Sequence, residues 1–235
     1  MKTIGLIGGL SWASSREYYS ILNTEYNQRK GNNHSCPIVM YSFDFQEMEI
    51  LQQEGNWIKL NEKMTEAAIR LEKGGADLIL ICSNTMHYSA ESMQASVMIP
   101  VLHIAEATGD AIASAGIKNI GMMGTKYLMN MSFYAERFKK QHAIETIIPG
   151  KEEIEIINNI IYKELVKGII VEKSKDELMK IVSGLIKKGA QGILLGCTEL
   201  PLIMDDTESN VPFFNSTRIH ALFGLDFAMK EHLYA

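Results

Sequence analysis

Four short segments concentrate the side chains of this chain that could do chemistry. They are Gly8-Gly9-Leu10-Ser11, Cys82-Ser83-Asn84-Thr85-Met86-His87, Gly124-Thr125 and Gly196-Cys197-Thr198-Glu199. Together they offer hydroxyls, an amide, a carboxylate and thiols, with little positive charge. That inventory suits a small polar substrate held by hydrogen bonds. A thiol, with an unperturbed pKa of about 8.5, can be brought by its surroundings into the range of a working acid or base. Gly8-Gly9 lacks the G-x-G-x-x-G spacing of a dinucleotide site. Glycine there either makes a plain tight turn or lets backbone N–H groups approach an anionic group such as an α-carboxylate. Cys82 and His87 have no partner pair at ligand spacing, so no metal is expected. Cys36, before Pro37, has no partner in sequence and reads as structural.

Each segment follows an apolar run short enough to be a strand. Strands are expected at 3–7, 38–43, 78–82, 101–104, 120–123, 193–195 and 213–215, and helical periodicity runs through 14–29, 57–73, 106–115, 151–166 and 175–188. Such alternation predicts a parallel sheet flanked by helices, with ligands bound beyond the carboxyl ends of the strands.

An internal repeat divides the chain. Ile4-Gly5-Leu6-Ile7-Gly8 returns as Ile120-Gly121-Met122-Met123-Gly124, at an offset of 120 − 4 = 116. Gly75-Ala76 returns as Gly189-Ala190, at 189 − 75 = 114, and Pro100 returns as Pro212, at 212 − 100 = 112. Two similar lobes follow: 1–107 plus 212–235, and 108–211, with the active site expected in the cleft between them. The repeat also sets Ser83 opposite Cys197, since 83 + 114 = 197, and Cys82 opposite Gly196. Strand side chains alternate faces, so Ser83 is expected toward the cleft and Cys82 away from it, unless a kink swings Cys82 inward.

Composition narrows the function class. A net charge of −5 gives no electrostatic case for nucleic acid, and no apolar stretch approaches the roughly 20 residues of a membrane helix. The start of the chain shows no signal-peptide pattern. Three cysteines in 235 residues do not suggest a disulfide framework. A reduced, cytoplasmic protein is expected.

With Gly8-Gly9-x-Ser11, Asn84-Thr85-x-His87, Gly124-Thr125 and Gly196-Cys197-Thr198-Glu199 in this order, the chain resembles the aspartate/glutamate racemase family. The resemblance implies two lobes, each with a four-stranded parallel sheet, related by pseudo-twofold symmetry, with the C-terminal segment returning to the first. It also implies a homodimer, no pyridoxal phosphate or other cofactor, and two-base proton transfer at the α-carbon of a small amino acid. The family takes one cysteine from each lobe, and the first immediately precedes Asn-Thr. Here that position is Ser83, with Cys82 one residue earlier.

Serine is a far weaker acid than a thiol and needs an activating neighbour to act as a base. The resemblance therefore leaves Cys197 as principal base, with Ser83 an auxiliary acid or carrier of a water proton on the opposite face. L-substrates are expected to be deprotonated readily and D-substrates poorly. Asn84, Thr85, Thr125 and Thr198 would donate to the substrate carboxylate. Glu199 and His87 would orient or tune the catalytic groups, although a packed structural role for His87 is equally open. Gly9, Ser11 and Trp12 would line the pocket. Family members acting on aspartate supply basic residues near the positions of Gln52-Gln53 and Val166, which are neutral here, with Lys167 one step beyond Val166. This favours glutamate or a broader group of polar amino acids such as homoserine. Hydantoin racemases, arylmalonate decarboxylases and maleate isomerases share the architecture, so another carboxylic acid substrate is an alternative, as is a degenerate amino-acid-binding protein.

Overall fold

The computed structural model describes residues 1–205, 207 and 209–230. The chain divides into two compact units, Met1–His103 with His220–Ala235, and Ile104–Ile219. The last five residues of the expected first lobe, 231–235, lie outside the described residues.

In the first unit a three-stranded parallel sheet runs in the order β2 (Ile38–Ser42), β1 (Ile4–Gly8), β3 (Leu78–Ile81). The fourth strand expected at 101–104 is reduced to one parallel bridge, Ile79 to Val101, because the helix α5 (Ile104–Ser114) begins at once. One face of the sheet, with Ile7, Ile79 and Ile81, packs on Leu60, Met64, Ala67 and Leu71 of α3 (Trp57–Lys73). The other, with Ile4, Leu6, Leu78 and Leu80, packs on Tyr18 and Leu22 of α1 (Trp12–Lys30) and on Ala221, Leu225 and Ala228 of α10 (Ser216–Met229). Helix α3 stops where Gly75 takes φ +89°, a conformation costly for any residue with a Cβ.

The second unit holds a four-stranded parallel sheet in the order β5 (Glu145–Ile147), β4 (Asn119–Gly124), β6 (Gly192–Gly196), β7 (Phe213–Asn215). Helices α8 (Lys151–Lys163) and α9 (Glu172–Lys187) cover one face through Ile154, Ile157, Leu178, Val182 and Leu185. On the other face, α5 and α7 (Phe133–His142) supply Ile112, Tyr134 and Phe138. The short helices α2 (Phe45–Gln53), α4 (Ala90–Gln94) and α6 (Lys126–Asn130) complete the chain.

The unit boundaries differ from those expected at 107/108 and 211/212. Strand β7 pairs with β6, and Ile104 and Ala105 pack in the second core, so 104–107 and 212–219 belong to the second unit. The expected helix 151–166 ends at Lys163 and is followed by a separate 3-10 turn, Leu165–Lys167.

The sequence repeat reappears as a repeat of strand register. Ile4 pairs with Leu78 as Ile120 pairs with Gly192 (4 + 116 = 120; 78 + 114 = 192). Ile79 bridges Val101 as Ile193 pairs with Phe213 (79 + 114 = 193; 101 + 112 = 213). Even the strand entrances correspond: Asp77 accepts from Thr3 N as Gln191 accepts from Asn119 N, and 77 + 114 = 191.

Candidate active site

At the end of β1 the chain turns sharply, and serines hold the turn. Gly9 has φ +70°, and a Cβ there would run into the backbone of Phe43, so only glycine fits without displacement. The Gly9 N–H donates to Ser15 Oγ at 2.8 Å, and Ser15 Oγ donates to the Ser11 carbonyl at 3.1 Å. Ser11, itself at φ +126°, caps α1 by accepting from Ser14 N at 3.2 Å. Ser14 Oγ in turn donates to the Cys82 carbonyl at 2.5 Å, joining the ends of β1 and β3. Sequence reasoning missed Ser14 and Ser15: serines at a helix start signal capping, but nothing local signals the tie to β3. Trp12, expected to line the pocket, is 67% exposed, with the Arg16 guanidinium over its ring at 5.3 Å.

Beyond β3, Cys82 and Ser83 differ sharply. Cys82 is wholly buried among the core residues that include Tyr18, Leu80 and Leu225, and burial pushes its thiol far up. Its backbone continues the sheet by donating to Ile7 O at 2.9 Å. Ser83 is half-buried, and its Oγ accepts from Met86 N at 3.4 Å at the start of the 3-10 turn Thr85–Ser89. His87 Nδ1 lies 2.7 Å from the Ser83 carbonyl. Asn84 and Thr85 are buried beside it. Gln52, at the end of α2, is buried with its Nε2 3.3 Å from Met86 Sδ, while Gln53 is exposed and meets Glu49.

The second unit presents a matching strand end. Ile193, Leu195 and Cys197 share one face of β6 and its extension, as Ile79 and Ile81 share the face that faces α3 in the first unit. Cys197 Sγ lies 2.9 Å from Glu199 Oε2, and Thr198 Oγ1 donates to the same oxygen at 2.6 Å. Burial first, then the charge of Glu199 and its hydrogen bond, push the thiol well above its ordinary range, against the backbone N–H groups of Glu199 and Thr198, which favour thiolate. These influences favour a protonated thiol facing the Glu199 carboxyl group. Thr125 is buried at the end of β4 and accepts from Leu128 N at 3.2 Å.

Cys36 is buried among Tyr26 and its neighbours, with its thiol pushed up to about 11 by burial. Among the described residues no group of three or more His, Cys, Asp or Glu side chains is placed to hold a metal ion. No described helix is long and apolar enough to cross a membrane.

A thiol and a carboxylate thus meet at a strand end of a duplicated parallel α/β chain. The family model for Asp/Glu/hydantoin racemases matches residues 7–223, and the chain belongs to that family of isomerases. It is 24% identical over 194 residues to the broad specificity amino-acid racemase RacX of Bacillus subtilis, covering 78% of this chain and 75% of that one. A Yersinia pestis protein whose Asp/Glu racemase designation is provisional superposes with a TM-score of 0.91 at 42% identity, covering 98% of this chain and 100% of that one. An aspartate racemase homologue from Pyrococcus horikoshii gives a TM-score of 0.83 at 31% identity, with the same coverage. The chain spans a little over half the length, 56% and 55%, of curated glutamate racemases that it matches.

Proposed function

We propose that this amino-acid racemase moves the α-proton of a small acidic or polar amino acid without a cofactor, with Cys197 as principal base and Ser83 serving the opposite face. The observation that carries the reading is the contact between Cys197 Sγ and Glu199 Oε2 at 2.9 Å. A resting thiol cannot abstract a proton. When the substrate ammonium enters, its positive charge offsets the cost of ionising the thiol, and the S–H proton passes to the Glu199 carboxylate. The thiolate left behind takes the α-proton and becomes a thiol again. The electron pair of the broken C–H bond delocalises into the substrate carboxylate, where Asn84, Thr85, Thr125 and Thr198 are the donors that stabilise the developing charge. Ser83, or a water it holds, gives a proton to the other face and is reprotonated by solvent. Glu199 releases to solvent the proton it took from Cys197, which restores the starting state.

Because serine is a poor acid, the rates of the two directions are unequal for individual steps and L-substrates exchange faster, while the equilibrium between enantiomers stays unchanged. The neutral Gln52, buried against Met86, and the half-buried Val166 supply no charge for a distal carboxylate. They weigh against strict aspartate use and leave glutamate, or a broader set including homoserine, as the substrates, and the broad specificity in the name of RacX points the same way. A homodimer acting in the cytoplasm completes the reading.

The test is α-proton exchange in deuterated water, followed by NMR, with L- and D-forms of aspartate, glutamate and homoserine. Exchange from the L-form that vanishes in Cys197→Ala supports the reading. Binding of any of these amino acids without exchange identifies a binding protein, the alternative that Ser83 favours. Neither binding nor exchange points to a related enzyme acting on another carboxylic acid.

A further inference from the structure

Three histidines from distant parts of the sequence meet inside the first unit, and the mechanism above uses none of them directly. His87 follows β3, His103 ends the segment after the Val101 bridge, and His220 lies on α10. All are buried, at 2%, 6% and 0% exposure. The ring of His87 lies 4.9 Å from that of His103 and 5.1 Å from that of His220. We propose that His87, His103 and His220 form a positioning array that fixes the peptide joining Ser83 to Asn84 for its part in proton transfer. The proposal rests on the two-face reading given above.

The hydrogen bonds fix the tautomers. A carbonyl oxygen only accepts, so His87 Nδ1 must carry the proton it donates to Ser83 O, 2.7 Å away. His87 Nε2 is then a bare acceptor that meets no donor among the described residues, although the Leu102 backbone also acts on the ring. By the same logic His220 Nε2 donates to Leu102 O at 3.0 Å, and its Nδ1 accepts from Tyr18 OH at 2.8 Å. His220 thus ties α10 to α1 and to the chain just before His103. Its ring then packs at 71° against His87 and supports it from behind.

Burial, and the proximity of His103 and His220, keep His87 neutral, and the 2.7 Å contact directs its single ring proton to the Ser83 carbonyl. An apolar side chain in place of His87 would fill the space but leave the Ser83 carbonyl without its donor. The residue on the hydroxyl face would then be free to turn, while Cys197 would be untouched.

The readout is the partition between inversion and exchange with retention, measured in deuterated water with the L-enantiomer. It is a ratio, and so is independent of how much enzyme is active. Asparagine places its Nδ2 where histidine has Nδ1, and glutamine places its Nε2 where histidine has Nε2. His87→Leu and His220→Leu should lower inversion relative to exchange by about tenfold or more, the scale expected when a reacting group is displaced by a fraction of an ångström. His87→Asn and His220→Gln should restore it.

A second readout needs no turnover. The thiol introduced by Ser83→Cys is alkylated with iodoacetamide, and the peptide carrying position 83 is quantified by mass spectrometry. Its rate should change on adding His87→Leu and return on adding His87→Asn instead. Variants that exchange and invert in the wild-type ratio would overturn the array while leaving the racemase reading intact. If the wild type exchanged no substrate, that reading would fail, and an alkylation rate indifferent to His87 would overturn the array as well.

Discussion

Cys197 Sγ and Glu199 Oε2 are 2.9 Å apart, with the single residue Thr198 between them in sequence. The strand ends at Gly196 and the chain turns at once into the 3-10 turn Leu200–Leu202, which bends Glu199 back over the thiol. Burial first, and then the charge and hydrogen bond of Glu199, hold the proton on sulfur. Glu199→Gln should therefore shift the pH midpoint of Cys197 alkylation downward while lowering racemase turnover about 100-fold, the scale of a lost proton-transfer partner. Alkylation and turnover measured across one pH series check both signs. A midpoint that moves up, or turnover that survives, would contradict the proton path to Glu199.

Ser83 should be the residue that limits D-substrates. Ser83→Cys places a stronger acid and better base on that face and should raise α-proton exchange from the D-enantiomer by about tenfold or more. The L-enantiomer should gain less. Separate initial rates in deuterated water measure the two.

Cys82, one residue away, should be silent. It packs among Tyr18, Leu80 and Leu225 with no exposure. Cys82→Ala should cost about 1 kcal/mol of stability through the small void it opens and should leave turnover unchanged. Urea unfolding beside a rate assay tests this; loss of turnover in a fully folded variant would place Cys82 in the chemistry.

The buried imidazoles make stability sensitive to acid. His220 faces Tyr18 OH, the Leu102 carbonyl and the His87 ring, and burial holds it down to about 4 from an ordinary 6.5. A lowered folded pKa means that the unfolded chain binds protons first. The stabilising contribution is therefore complete above about pH 6.5 and is lost as pH falls toward about 4. For His220 alone the loss amounts to about 3 kcal/mol. Urea midpoints should fall over that window, and His220→Gln should flatten the fall.

Gly9→Ala should be severe. The residue sits at φ +70° with the Phe43 backbone where a Cβ would go, so the change should cost about 2 kcal/mol or more. Chemical denaturation checks the magnitude.

The parallel α/β plan and the strand ends were legible in the sequence because buried strands read as short apolar runs bounded by glycine. The repeat even carried the pairing register, Ile4 with Leu78 and Ile120 with Gly192. Strand β5 escaped because Glu145-Thr146-Ile147 is three residues long and half-exposed, without an apolar run. Helix α10 escaped because small and apolar residues surround its axis, so no polar stripe marks it. Among the candidate site residues, Cys197, Glu199 and Ser83 stand out from local sequence and offset alone. The tie from Ser14 to Cys82 and the meeting of His87, His103 and His220 could not, since each is made by residues far apart in the chain.

The second unit is one uninterrupted stretch, Ile104–Ile219, whereas the first is closed by residues from His220 onward. During synthesis the later half can therefore complete its core before the earlier one. Until α10 leaves the ribosome, the face of β1 and β3 that Ala221, Leu225 and Ala228 cover stays open, and Tyr18 and the Leu102 carbonyl lack His220. The first unit waits for α10, and a chain stalled or cut before that helix carries an open apolar sheet face until chaperones or proteases meet it.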